Sequence, residues 1–465
     1  MSETINSIEQ PTALKEVWSA SRASRLQVYE QLNGNGDYRE QQEQQFIAGE
    51  IVNPILDAPN LNQVDIDNYL NELWELYASV ETHTNESSLE RAAYNGIIAN
   101  KLAQVYYLHQ ARNLLDMGDL PEKDRASQYL EQQAEELYGL PEPAIFNSMI
   151  NNLREKVVNY QGTDDISSTI KQELLNLLPE NLSSTENQSV NYAELINHYR
   201  PLVETYFTGL LAVVPDDKDK FEPEDMMQIF SAGIRYYESV GFVEPGKWDS
   251  IIDPDSKSVS TSQERCRVEV GAKRKAMSNI EMKQALLHEV GVHVQRRLLG
   301  DKANFAALGT GLVGYEDPEE GIGVVLEQIY DGQPREAGVQ YYTLLGLAIG
   351  LDGKKRDFRQ TYEIAWRREA MLKLVDDNQE LNEKTLTKVK KQAYTQCVRI
   401  FRGTPCNLPG VVFPKDIFYF DGNEKIWRYL NAIKNDDTAF GKLFLGKYNP
   451  TDPDHQKLLE AAEWT

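Results

Sequence analysis

Cysteine is scarce in this chain: 465 residues hold three, Cys266, Cys397 and Cys406. The number is odd and none sits at zinc-ribbon spacing, which argues against a disulfide framework and for reduced thiols in an intracellular compartment. Long apolar runs are missing as well. No stretch approaches the roughly 20 apolar residues of a membrane helix, and Met1 to Lys15 is too polar for a signal peptide. Basic residues are in deficit, 48 against 72 acidic, which leaves a net charge of −24. The densest basic run, Lys273-Arg274-Lys275, is too short for a polybasic patch, and the overall charge repels phosphates. A cytoplasmic protein is expected, with neither nucleic acid nor membrane as a partner.

What is present is mostly helical pattern. Residues 1–15 are polar, contain Pro11 and read as a disordered tail. Residues 16–190 read as a helical N-terminal region, with apolar residues at helix spacing through Tyr69, Leu70, Leu73, Leu76 and Tyr77, and again from Leu89 to Leu115. Within it, 161–190 is rich in polar residues and reads as a surface linker with one short helix. Residues 191–435 change character. Two helices, at about Tyr192–Val213 and Pro223–Val240, precede three short β-like segments, Lys247–Ile252, Ser258–Thr261 and Arg265–Val270. Ser278-Asn279-Ile280-Glu281 is a capping box that opens a helix expected to run to about Leu299 and to close at Gly300. Residues 436–465 are taken as a C-terminal tail.

That capped helix contains His288-Glu289-Val290-Gly291-Val292-His293, two of the six histidines of the chain. Two imidazoles suit zinc, and a glutamate beside the first can deprotonate a water activated by the ion. The spacing is awkward. On an ideal helix of about 3.6 residues per turn, five residues advance roughly 140° past a full turn, too far for one ion. The histidines can share a metal only if the helix is locally widened to i→i+5 bonding, a distortion Gly291 eases. A third ligand is offered by Asp317-Pro318-Glu319-Glu320-Gly321. With Asp317 as cap and Pro318 in the first turn, Glu320 can face the imidazoles while Glu319 points elsewhere. Glutamates at a helix start commonly act as caps, so the ligand role rests on the company Glu320 keeps. His83, His109, His198 and His455 are isolated.

The HExxxH helix followed by an EEG segment resembles the tyrosine carboxypeptidases of the microtubule-associated type, whose bacterial relatives are flavohemoglobin-expression-modulating proteins with a QEGLA motif. Arg399-Ile400-Phe401-Arg402-Gly403, Phe413-Pro414-Lys415-Asp416 and Tyr419-Phe420-Asp421-Gly422 are similar to the family's RG…FTKD…Y-x-x-G stretch. Asn53-Pro54 and Glu136 to Pro143 are similar to its N-terminal signposts, so the likeness spans roughly residues 45 to 430. Ile322-Gly323 replaces the family's usual Leu-Ala, and Pro414 its usual threonine. The resemblance implies His288, His293 and Glu320 as ligands of one Zn2+ per chain, with Glu289 as the catalytic base. The implied fold is α+β and predominantly α, a gluzincin-like zinc metallopeptidase domain with a small β-sheet, against which the N-terminal region forms one wall of a cleft.

The implied reaction is hydrolysis of a C-terminal peptide bond that releases an aromatic residue, Tyr or Phe. A carboxypeptidase must read a free terminal carboxylate, for which Arg402, Lys415 and Arg274 are the candidates, with Tyr419 a candidate donor to the oxyanion. The partner is then the C-terminus of a peptide or protein. Nothing in the residues points to tubulin, because the net charge opposes strongly acidic tails. Two alternatives stand beside this reading: a non-peptidase zinc amidohydrolase with the same triad, and a helical interaction protein whose metal site is vestigial.

Overall fold

Caps and apolar spacing together set the helices. The computed structural model describes residues 14–34, 36–83, 87–118, 122–162, 164–180, 182–183 and 190–464. In it Glu90 N donates to Ser87 Oγ at 3.1 Å and Ser87 N to the Glu90 carboxylate at 2.9 Å. This reciprocal cap starts the helix Ser88–Asp116, whose Tyr94, Ile97, Ile98, Val105 and Leu108 are buried. The helix Ile66–Thr82 buries Tyr69, Leu73 and Leu76 as the spacing predicts, but Tyr77 faces solvent. The chain is 66% helical with small sheets, the expected α+β, predominantly α architecture. Among the described residues, no helix is long and apolar enough to cross a membrane.

The strands fall just before the histidine helix. β1 (Lys220–Phe221) pairs antiparallel with β5 (Met277–Ser278). β2 (Asp249–Asp253), β3 (Val259–Ser262) and β4 (Arg267–Gly271) form a sheet of order β2-β4-β3, parallel between β2 and β4 and antiparallel between β3 and β4. β3 is therefore an edge, and it lies against the histidine-bearing turn.

Three hydrophobic clusters among the described residues fix how the segments meet. One surrounds the histidine helix, packing Leu286, Val290 and Val294 against Phe207, Val325, Trp427 and Phe444. The others mix early and late residues. Trp18, Tyr94 and Leu108 share a core with Phe305, Phe413 and Tyr448, while Phe46, Phe146 and Leu174 share one with Tyr342, Phe358 and Phe420.

Several local expectations are corrected. Residues 1–13 of the expected tail lie outside the described residues, but Leu14 is buried in the helix Leu14–Ala20 and Lys15 Nζ donates to Ala303 O at 2.7 Å. The polar stretch 161–190 includes a 13-residue helix, Asp165–Leu177, that buries Ile170 and Leu174. Residues after 436 fold rather than trail: Asp437–Lys442 and Pro453–Ala461 are helical, and Phe440, Phe444 and Tyr448 are core. Gly300 lies inside the helix Gln295–Lys302, where a Cβ would meet Leu308 O at 2.2 Å, so it serves close packing and not a cap.

The closest backbone approach joins the helices Glu316–Asp331 and Phe418–Ile433. A Cβ on Gly321 would meet Gly422 O at 2.1 Å, and one on Gly422 would meet Asp317 O at 1.9 Å. Neither obstacle is a movable side-chain tip. Gly422→Ala is expected to force the helices apart and destabilise the fold by about 3 kcal/mol or more, seen as a lower denaturant midpoint; an unchanged midpoint would show that the contact yields.

A second prediction concerns Glu30, buried in the turn Val28–Gln31. Burial, with Glu264 nearby, pushes its pKa from 4.5 to about 7. The folded state thus binds this proton more tightly than the unfolded chain. The contribution of Glu30 to stability is fully present below pH 4.5 and is lost as pH rises through about 7, where the ionised form costs on the order of 3 kcal/mol. Glu30→Gln should therefore be more stable than wild type at pH 8, with the gap closing towards pH 4.5; a gap independent of pH would contradict the assignment.

Candidate metal centre

Ser278 caps the histidine helix as its sequence implies, with Glu281 N donating to Ser278 Oγ at 3.3 Å and Ser278 N to the Glu281 carboxylate at 2.7 Å. The helix is ordinary over Asn279–Leu286, widens to a π-helical turn over Leu287–Val294, then resumes over Gln295–Lys302. This is the distortion that five-residue spacing demands. It brings the His288 and His293 rings to 5.0 Å between centroids. Such turns expose carbonyls and cost stability, so their persistence in a packed helix points to function.

The second element is the helix Glu316–Asp331. It begins earlier than expected, capped by Tyr315, so Asp317 lies inside it and pairs with Lys425 from the neighbouring helix. Glu320 faces His288, with Oε2 at 3.7 Å from Nε2. Two turns later, Glu327 Oε1 stands 2.7 Å from His288 Nδ1. Gly323, between these two glutamates, leaves room for the ring, since a Cβ there would lie 2.7 Å from it. The sequence departure at this position thus has a steric reason in this chain.

Glu319 does not point elsewhere, as its neighbour's role had suggested. Its Oε1 lies 2.8 Å from His293 Nδ1. A carboxylate only accepts, so each histidine donates through Nδ1, and a metal would take the other ring nitrogen, Nε2. Glu319 is itself buried and held by two cations: Arg296 Nη1 donates to Oε2 at 3.0 Å, and buried Lys447 donates to Oε1. Arg296 is fixed in turn by Gly446 O and Tyr448 O, each at 2.7 Å. Burial opposes the charge on Glu319, yet Lys447, His293 and Arg296 bring its pKa down to about 2.

Donor atoms of His288, His293 and Glu320 lie within 4.8 Å of one another, and no other group among the described residues is so placed. Zinc bonds of about 2.0–2.2 Å in a tetrahedral set separate donors by roughly 3.3 Å, within reach of small rotations. The electrostatics agree. Burial alone would lower the His288 pKa, but Glu320 and Glu327 raise it well above the usual value. Burial opposes ionisation of Glu320 too, yet His288, Lys415 and His293 hold its pKa well below the carboxylate range. The pocket is an electron-rich hollow of two nitrogens and a carboxylate, suited to a divalent cation.

Glu289 lies beside this triad, with Thr261 Oγ1 on the β3 edge donating to its Oε2 at 2.7 Å. Lys415 Nζ is 3.8 Å from Glu320 Oε1 and 3.9 Å from Glu316 Oε2. Pro414 opens the 3-10 turn Pro414–Ile417 that carries it, at a position needing no N–H. The charge on Glu320 is the chief cause of the raised Tyr419 phenol pKa, ahead of burial. Arg274 is partly buried with an unpartnered Nε; burial lowers its pKa, against the pull of Glu289, Glu281 and Glu327. Arg402 is set back: its Nε donates to Arg399 O at 3.1 Å and its Nη2 faces Asp416 at 3.6 Å.

Sequence reasoning missed several participants. Glu327 was findable, seven residues after Glu320 on the same helical face with a glycine between. Tyr29, whose phenol donates to Thr261 O at 3.4 Å and whose ring lies 5.0 Å from Lys415 Nζ, brings the N-terminal region to the site. Lys447 carried no local signal at all.

Comparison with known proteins adds one finding. A family model described as microtubule-associated tyrosine carboxypeptidase matches residues 378–464. Over this stretch, less than a fifth of the chain, the sequence is similar to that family. The match covers Arg399, Lys415, Tyr419 and Lys447 but not the histidine helix. No curated protein and no solved structure matches the chain.

Lys447→Met should leave Glu319 buried with one cation fewer. The expected result is a loss of about 3–5 kcal/mol in stability and about 10–100-fold in zinc affinity, read by competition with a chromophoric chelator. Unaltered affinity in a folded variant would show that the Glu319 network does not govern His293.

Proposed function

We propose that this chain is a zinc-dependent carboxypeptidase that removes an aromatic C-terminal residue from a peptide or protein. The reading proceeds from the tyrosine carboxypeptidase match at residues 378–464. One observation carries the metal: a widened turn that gathers His288, His293 and Glu320 within 4.8 Å, an arrangement with no packing purpose of its own. Zinc is favoured over harder cations because two of three donors are imidazoles.

When bound, zinc supplies a Lewis acid for the scissile carbonyl and for the attacking water. His288 and His293 present Nε2 because Glu327 and Glu319 hold their Nδ1 protons. Glu289, steadied by Thr261, takes one proton from the water as its oxygen adds to the carbonyl carbon. It then hands that proton to the amide nitrogen as the C–N bond breaks, so the departing residue leaves as an amine. The other product is a carboxylic acid that retains the water's oxygen and its second proton, which it gives up to solvent to become a carboxylate. Lys415 and Tyr419, both on the Glu320 side, supply positive charge and a phenol where negative charge develops.

The deciding experiment is Glu289→Gln in full-length protein. Hydrolysis of a peptide ending in tyrosine should fall by about 100-fold or more, with zinc content unchanged at one per chain, and chelation of wild type should abolish activity reversibly. Wild type that binds zinc yet cleaves no peptide would instead favour an interaction protein with a vestigial site. Equal cleavage of free and blocked C-termini would favour a non-peptidase amidohydrolase.

A further inference from the structure

We propose that Arg399, lying against the rings of both Tyr341 and Tyr419, receives the substrate's terminal carboxylate, and that these two rings wall the pocket for the departing side chain. The proposal rests on the carboxypeptidase reading and assigns a binding residue to it. Arg399 occupies the last turn of the helix Glu383–Phe401. Its guanidinium carbon lies 4.5 Å from the Tyr341 ring centroid and 5.1 Å from that of Tyr419, and the two rings are 6.3 Å apart. One edge of the fork is anchored inward. Nε donates to Asp416 Oδ2 at 2.6 Å and Nη2 to Asp416 Oδ1 at 2.9 Å, while Nη1 donates to Tyr341 Oη at 3.2 Å. The Asp416 side chain is 6% exposed and that of Arg399 is 30% exposed, so the fork is held from behind with donor capacity left facing outward. That is a pre-organised receptor for a planar anion.

Its position suits the reaction. Asp416, which holds the fork, follows Lys415, whose Nζ lies 3.8 Å from Glu320 Oε1, and the guanidinium lies against the Tyr419 ring, so the fork is on the Lys415 side of the candidate ligand Glu320. A C-terminal residue carries its carboxylate about one residue length, 3.3–3.6 Å, beyond the scissile bond. With the carbonyl at the triad, the carboxylate points past Tyr419 towards Arg399, and an aromatic side chain enters beside the tyrosine rings. Arg402, by contrast, gives its Nε to the Arg399 carbonyl and its side chain is only 12% exposed. It balances Asp416 from the interior and acts as a positioning residue. Two arginines share one aspartate, so the cluster keeps a surplus positive charge for an incoming anion.

The test uses the full-length, zinc-loaded chain and two peptides identical except for a free carboxylate or a carboxamide at a terminal phenylalanine. Wild type should prefer the free acid by at least about 100-fold in kcat/KM, mainly through KM. Arg399→Lys keeps the charge opposite Asp416 but loses the fork, and should reduce that preference to under about 10-fold, mainly through a raised KM for the free acid. Arg402→Lys should keep the preference. Should Arg399→Lys fail to fold, the double variant Arg399→Gln/Asp416→Asn, which removes both charges together, serves for the same measurement. Full preference retained in a folded Arg399 variant, or a collapse in Arg402→Lys instead, overturns the assignment while leaving the carboxypeptidase reading intact. Wild type that cleaves neither peptide, or both equally, overturns that reading and this assignment with it.

Discussion

Two imidazoles five residues apart on one helix can share an ion only where the helix widens between them, and much of this molecule is arranged around that widened turn. Leu287–Val294 is the place where the ordinary i→i+4 ladder gives way. Its apolar residues, Leu287, Val290, Val292 and Val294, are all buried, so the distortion is clamped by packing on the side away from the site. On the open side Thr261 of β3 donates to the Glu289 carboxylate at 2.7 Å, and Gln263, just past the strand, donates to the His293 carbonyl at 3.4 Å. An edge strand is suited to this task, because its outward polar groups have no further strand to satisfy them.

The facing helix is positioned with equal strictness by what it lacks. Gly321 lets the Phe418–Ile433 helix approach backbone to backbone, and Gly323 admits the His288 ring. Glu319, Glu320 and Glu327 then present three carboxylates to two imidazoles from one element. One is a candidate ligand and two fix ring orientation, a division of labour that follows from their angular positions about a single helical axis.

So much negative charge in a chain of net charge −24 needs local compensation. It comes from two buried cations, Arg296 and Lys447 behind Glu319, and from partly buried ones, Lys415 beside Glu320 and Arg399 with Arg402 around Asp416. Each buried pair is strongly destabilising to break because the remaining partner is left without solvent. The effect is to hold Glu319, Glu320 and Asp416 ionised and in one geometry.

The amino-acid order by itself determined the candidate ligand types, the need for a widened turn if His288 and His293 are to meet, the cap at Ser278, and the helical character of most of the chain. These follow from local rules: residue chemistry, angular advance per residue and reciprocal capping act within a few positions. The same rules misplaced Glu319, because an angular argument separates neighbours on one helix but cannot say that the second imidazole nitrogen waits on the other side. They also passed over Tyr29, Arg399 and Lys447. Lys447 meets Glu319 across 128 positions, and Tyr29 meets Thr261 across 232. Such pairings are set by how hydrophobic clusters bring distant segments together, and only the tertiary structure decides them, since burial of apolar surface is non-directional and carries no record of its partner in the local sequence.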